Sequence, residues 1–124
     1  MRVSVSQIAG PTADPERMWV MTTVGFYSVV EDREREGNVL VRARDRGDID
    51  AIAARLGDAE VLATPSRDYA FRVSVPRAAW ADALRELAEE VDYDNFKSAV
   101  GARQGHARAR VYGSVWQTLL ALQR

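Results

Sequence analysis

The side chains in this sequence best suited to holding an anion are three arginines set into two alternating apolar segments. In VLVRAR (39–44), Arg42 and Arg44 alternate with Val39, Val41 and Ala43; in DYAFRVSV (68–75), Arg72 stands between Phe71 and Val73. A guanidinium is planar, stays charged and offers a fork of donors that fits a phosphate or carboxylate. Successive side chains of a strand point to opposite faces. Arg42, Arg44 and Arg72 are therefore expected on one face of a sheet, with Val39, Val41, Tyr69, Phe71, Val73 and Val75 on the other. Paired across strands with Glu31, Asp32 or Asp45, the same arginines would instead form an ordinary solvated surface, at about 0.2–1 kcal/mol per pair.

A second polar concentration is EVDYDNFKSAV (90–100), which holds Asp92, Asp94, Asn95 and the only lysine of the chain. A carboxylate at a helix start accepts bonds from unpaired N–H groups and meets the positive end of the helix dipole. Asp92 or Asp94 is thus expected to cap a short helix ending near Gly101, with Phe96 and Val100 on its buried side and Tyr93 and Phe96 filling the corner. The same corner, with Tyr27 and Arg72, supplies the groups from which an acid–base or ligand site could be assembled.

Other chemistries lack their residues. His106 is the sole imidazole, and no Gly-flanked Ser forms a nucleophile elbow to partner it. With no Cys and one His, and with Asp92 and Asp94 too few for calcium, no metal site is expected. Neither glycine-rich nucleotide loop occurs, and no cofactor is expected.

AGPTADPE (9–16) reads as a loop, and residues 1–17 as an N-terminal arm containing a short segment at 3–8. Residues 18–124 read as a single α+β domain. MWVMTTVGFYSVV (18–30) is β-rich and apolar on both faces; it is either one long strand or a hairpin broken at Gly25. EDREREGN (31–38) is a charged loop leading into the VLVRAR strand. Asp48 is expected to cap a helix with Ile49, Ile52 and Leu56 on one side and Gly57 just past its end. AEVLAT, a turn at Pro65–Arg67 and DYAFRVSV form a hairpin, stopped by Pro76. RAAWADALRELAEEV carries Trp80, Leu84, Leu87 and Val91 at spacings of 4, 3 and 4, a helical stripe. From about residue 106 a terminal helix places Val111, Val115, Leu119 and Leu122 beside Tyr112, Trp116 and Leu120, an apolar face expected to pack on the rest. The order from Val39 to Val91 is that of a ferredoxin-like sandwich short of one strand. Supplying that strand from 18–30 gives a circularly permuted antiparallel sheet of four or five strands, helices on one face, and C-terminal helices.

The motifs GFYSVVEDR (25–33), VRAR (41–44), DYAFRVSVP (68–76) and DYDNFKSAV (92–100), with a Trp in the final helix, resemble a family of small uncharacterised bacterial proteins. The resemblance runs from Met18 onward and implies a single bacterial, cytoplasmic domain. It brings no activity, cofactor or catalytic residue.

With 124 residues, 47% hydrophobic and 28% charged, the chain is an ordinary globular domain with one core. It has no run of 18 apolar residues and no signal-peptide core at its start, so secretion and membrane spanning are not expected. Its net charge of −1 hides a split: Lys97, Arg103, Arg108, Arg110 and Arg124 stand in a stretch from residue 95 without a single acid. That cationic tail, with Tyr27 and Trp19 as substitute stacking rings, makes nucleic acid a weak candidate partner; an RNA-binding sheet carries aromatic rings where Arg42 and Arg72 stand. The leading expectation is a non-enzymatic binding or regulatory domain that self-associates as a homodimer and offers Arg42, Arg44 and Arg72 to an anionic partner. The alternative is a small enzyme acting on a phosphorylated or carboxylated metabolite.

Overall fold

A computed structural model describes residues 17–123. All but the last residue of the expected N-terminal arm lies outside the described residues. The chain runs β1 (Met18–Met21), β2 (Phe26–Glu31), β3 (Asn38–Ala43), α1 (Arg46–Arg55), β4 (Leu62–Ala63), β5 (Phe71–Pro76), α2 (Arg77–Glu89), α3 (Phe96–Gln104) and α4 (His106–Leu119), and ends in a 3₁₀ turn, Leu120–Leu122. The five strands form one antiparallel sheet in the order β1-β2-β3-β5-β4. β3 and β4 flank β5 and are therefore parallel to each other, joined through α1. This is the split β-α-β unit of the ferredoxin-like arrangement, and β2 stands beside β3 where the missing strand belongs. The permuted α+β sheet expected from the sequence is the observed one.

The apolar segment 18–30 resolves into the hairpin alternative. Thr22 makes the break: its hydroxyl accepts the N–H groups of Val24 and Gly25 and donates to the Gly25 carbonyl. Gly25 is required by space. A Cβ there would lie 2.5 Å from the Tyr27 hydroxyl and 2.8 Å from the Asp48 Cβ.

Register sorts the two faces. Tyr27, Val29, Val39, Val41, Val73 and Val75 pack against Ile49, Ile52 and Ala53 of α1 and Trp80 and Ala83 of α2. Each large side chain in this layer contributes about 1.5–3 kcal/mol by leaving water. No helix of those two covers the opposite face, which carries Ser28, Arg42, Arg72 and Ser74.

Several local expectations are corrected. The cap of α1 is Asp45, whose carboxylate accepts the Asp48 N–H, and the helix starts at Arg46. Asp48 instead sits in the first turn, where its side chain reaches the β1–β2 hairpin. The cap of α3 is Asn95, which accepts the Ser98 N–H; Asp92 and Asp94 precede it. That helix runs past Gly101 to Gln104 and stops at Gly105, whose φ of 94° suits glycine. In α2 the buried stripe is Trp80 and Ala83 with Leu84 and Leu87 half-buried, while Val91 lies beyond the helix end and is exposed. Tyr69 precedes β5, so strand alternation does not govern it, and its ring lies on the arginine side. Of the terminal apolar face only Tyr112 is buried.

Replacing Gly25 by Ala forces the hairpin away from Asp48. Overpacking of this kind costs about 1–3 kcal/mol. A lowered urea midpoint for Gly25→Ala, with the folded circular dichroism spectrum retained, is the expected result.

Candidate functional site

The helix-free face of the sheet is hollowed into a concavity of about 590 Å³. Its floor is Leu40, Arg42, Arg72 and Ser74 on the two central strands, flanked by Val30 of β2 and Leu62 of β4. One wall is the charged 31–38 loop, from Glu31 to Arg35; the other is formed by Glu60, Thr64 and Arg67. A volume of this size suits a small metabolite or a few side chains of a partner.

Arg42 and Arg72 are cross-strand partners and lie side by side on this floor. Both are buried, at 9% and 8% exposure, although the face has no helical cover. Arg42 donates to the Ser28 hydroxyl at 2.8 Å and to the Ser28 carbonyl at 3.4 Å. The Tyr69 ring packs against two guanidiniums, Arg42 at 4.7 Å and Arg44 at 4.5 Å from its centre. Such contacts are worth about 0.5–2 kcal/mol each, more where water is excluded. Arg72 donates to Thr64 Oγ1 and to the Tyr69 carbonyl, both uncharged acceptors. Among the described residues no carboxylate stands within ion-pair distance of Arg72. Burial lowers its pKa, and Arg67 and Arg42 add to the lowering. The group remains charged at any physiological pH. Its charge is thus held in a partly dehydrated place beside other cations, an arrangement that an incoming anion relieves.

Across the concavity Asp32 is buried and its oxygens are occupied. It accepts the Ser74 hydroxyl at 2.6 Å and the Glu34 N–H at 2.9 Å, and Asn38 donates to the same Ser74 oxygen. The Ser74 hydrogen bond and the loop N–H groups hold its carboxyl below the usual range. Asp32 therefore ties the 31–38 loop to β5 and shapes the wall.

The residues expected to form a site divide into three groups. Arg42 and Arg72 share the concavity floor; Arg44 lies past the end of β3, exposed, with its Nε donating to the Asp68 carbonyl. Tyr27 does not belong with them. It is fully buried on the helix-covered face, its hydroxyl donating to the Asp48 carbonyl at 2.8 Å, and burial with the Asp48 charge pushes its pKa far up, so it is a structural donor. Asp92, Asp94 and Asn95 form a corner elsewhere, and none of them lines the concavity. Asp92 pairs with Arg103 at 2.7 Å, Asn95 caps α3 and Asp94 is exposed. Trp19 stands opposite Ser28 in register, exposed and edge-on to Phe26 at 6.0 Å. His106 opens α4 at the surface. Among the described residues no group of three or more acids or histidines is placed to hold a metal ion, and no helix is long and apolar enough to cross a membrane.

Sequence reasoning missed Ser28, Asp32, Thr64, Arg67, Tyr69 and Ser74 as parts of the site. Two of them carried a signal. Ser28 interrupts the apolar run FYSVV, and Ser74 is two residues from Arg72, hence on its face. Comparison with protein-family models, with curated proteins and with solved structures finds no match.

The lowered pKa of Asp32 fixes the sign of a pH effect. Its contribution is complete above the ordinary carboxyl pKa near 4 and is lost as pH falls through that value and below. Ser74→Ala should cost about 1 kcal/mol of unfolding free energy at pH 7 and distinctly less at pH 3. Urea unfolding of both proteins at the two pH values checks this; an equal cost at both would be the contrary result.

Proposed function

We propose that this protein is a small, non-enzymatic binding or regulatory domain of the cytoplasm that self-associates and receives an anionic group of its partner on the arginine floor of the sheet. The observation that carries this reading is Arg72, dehydrated beside Arg67 and Arg42 with only neutral acceptors in hand. A phosphate or carboxylate fits there because it neutralises the Arg72 guanidinium and accepts the donors that Thr64 and the Tyr69 carbonyl leave. The walls mix charge, with Glu31, Glu34 and Glu60 alternating with Arg33, Arg35 and Arg67, so the anion that fits is one small enough to sit on the arginine floor between them. The separation of the Asp92–Asn95 corner from the concavity supports binding over catalysis on a phosphorylated or carboxylated metabolite.

Thermal unfolding in inorganic phosphate, pyrophosphate and citrate, at constant ionic strength, tests the site. A ligand at a hundred times its Kd stabilises by about 2.7 kcal/mol, several degrees for a domain of this size. The rise should vanish in Arg72→Gln and shrink in Arg67→Gln. Without anion, Arg72→Gln should be neutral or slightly stabilising, because it removes a repelled buried charge. Equal rises in the native protein and Arg72→Gln would refute the proposal.

A further inference from the structure

The terminal helix carries a seam that begins inside the domain and leaves it. Tyr112, Val115, Leu119 and Leu122 recur at spacings of 3, 4 and 3, the repeat by which two helices mesh along a line. Tyr112 is buried, stacked on Phe96 of α3 at 5.8 Å and bonded to Arg108. Beyond it the last turn of α4 and the 3₁₀ turn that holds Leu122 are largely exposed, and we call this end of the chain the overhang. Val111, Trp116, Leu119 and Leu122 are 60%, 58%, 51% and 77% exposed. From Val111 to Gln123 there is not one charged residue, in a chain whose overall charged content is 28%. Surface helices that meet only water carry charges on their outer faces. Loss of charge together with an exposed Trp marks the centre of an interface.

We infer that the overhang is the dimerisation element, pairing antiparallel with the same segment of a second copy about a two-fold axis that passes between the helices at the height of Gln117. This rests on the self-association half of the function proposed above and specifies its surface. In that register Val115 of one copy meets Leu119 of the other, twice, so one surface complements itself. The arrangement also separates charge: the two Arg110 side chains end up about 20 Å apart at 1.5 Å per residue, beyond the Debye length at physiological salt. A parallel pair would set them side by side. The exposed apolar parts of Val111, Trp116, Leu119, Leu120 and Leu122 amount to on the order of 500 Å² per copy, so a pair that covered them all would withdraw at most about 1,000 Å² from water, the lower bound for a specific interface.

Sedimentation of the full chain at tens of micromolar tests the inference. The expected species has twice the 13.8 kDa chain mass. Leu119→Glu should weaken association about a hundred-fold, and Gln117→Glu, on the opposite side of the helix, should leave it unchanged; circular dichroism checks that both fold. The chain has no cysteine, so nitroxides placed by Gln117→Cys and Gln123→Cys report direction: antiparallel helices put the two labels at 123 farther apart than the two at 117. A dimer indifferent to Leu119→Glu, or equal label distances, overturns this interface and leaves self-association standing. A strict monomer overturns both. A monomer whose tryptophan emission shifts on phosphatidylcholine vesicles overturns both and assigns the seam to a lipid surface.

Discussion

The fold turns on one buried carboxylate. Asp48 Oδ2 accepts the Phe26 N–H at 3.0 Å and the Arg108 guanidinium at 2.7 Å, while the backbone carbonyl of the same residue accepts the Tyr27 hydroxyl. A carboxylate moved out of water unpaired costs several kcal/mol, so these partners are obligatory and not incidental. The network joins three places far apart in sequence: the β1–β2 hairpin, the first turn of α1, which holds Asp48 itself, and the first turn of α4. Gly25 leaves the room this convergence needs. Asp48 holds Arg108 firmly protonated, with its guanidinium pKa raised, and Arg108 extends to Asp45 at 3.6 Å. Removing either partner would strand the other charge in a dry environment, which is why a pair of this kind fixes geometry more than it adds net stability.

That anchor divides the sheet into two unlike surfaces. On the side of Asp48, aliphatic side chains and the Tyr27 ring are sealed by helices. On the other side the strands present arginines and serines, and the loops alone shape the concavity. Asp32 and Tyr69 act there as the counterpart of Asp48. One ties the 31–38 loop to β5 through Ser74, and the other lies against Arg42 and Arg44. The difference is in what remains: the Asp48 network is closed on itself, whereas Arg72 has donors that only neutral oxygens meet. Chemistry that is complete builds structure, and chemistry that is incomplete is available to a ligand.

Much of the architecture was legible because alternation and helical spacing are local. The valines of β3 and β5, the placing of Arg42 and Arg72 on the opposite face, and the start of the terminal helix at His106 all follow from side-chain period. The errors arise where a long-range contact outweighs a local preference. Asp48 is a good cap by type, yet Arg108, sixty residues later, recruits its side chain and Asp45 takes the cap. Tyr27 alternates onto the apolar face, and only its residue type places it with the arginines. Tyr69 lies before the strand that would have given it a side. The concavity itself was not legible, because its walls are loops whose approach depends on the Asp32–Ser74 and Thr64–Tyr69 hydrogen bonds.

The two surfaces left over are set apart by the same anchor. Arg108 binds α4 to the helical side, so the overhanging seam emerges there, and the arginine floor is on the reverse of the sheet. Pairing through the seam therefore leaves both floors uncovered. A partner carrying two anionic groups would find two equivalent sites on one assembly, and the second contact would be intramolecular. Such linkage raises overall affinity by about 10²–10⁴ without any added contact, provided the spacing of the groups matches that of the sites. A shallow anion site on a small domain binds weakly taken singly; the association proposed above would supply the missing strength without a deeper pocket.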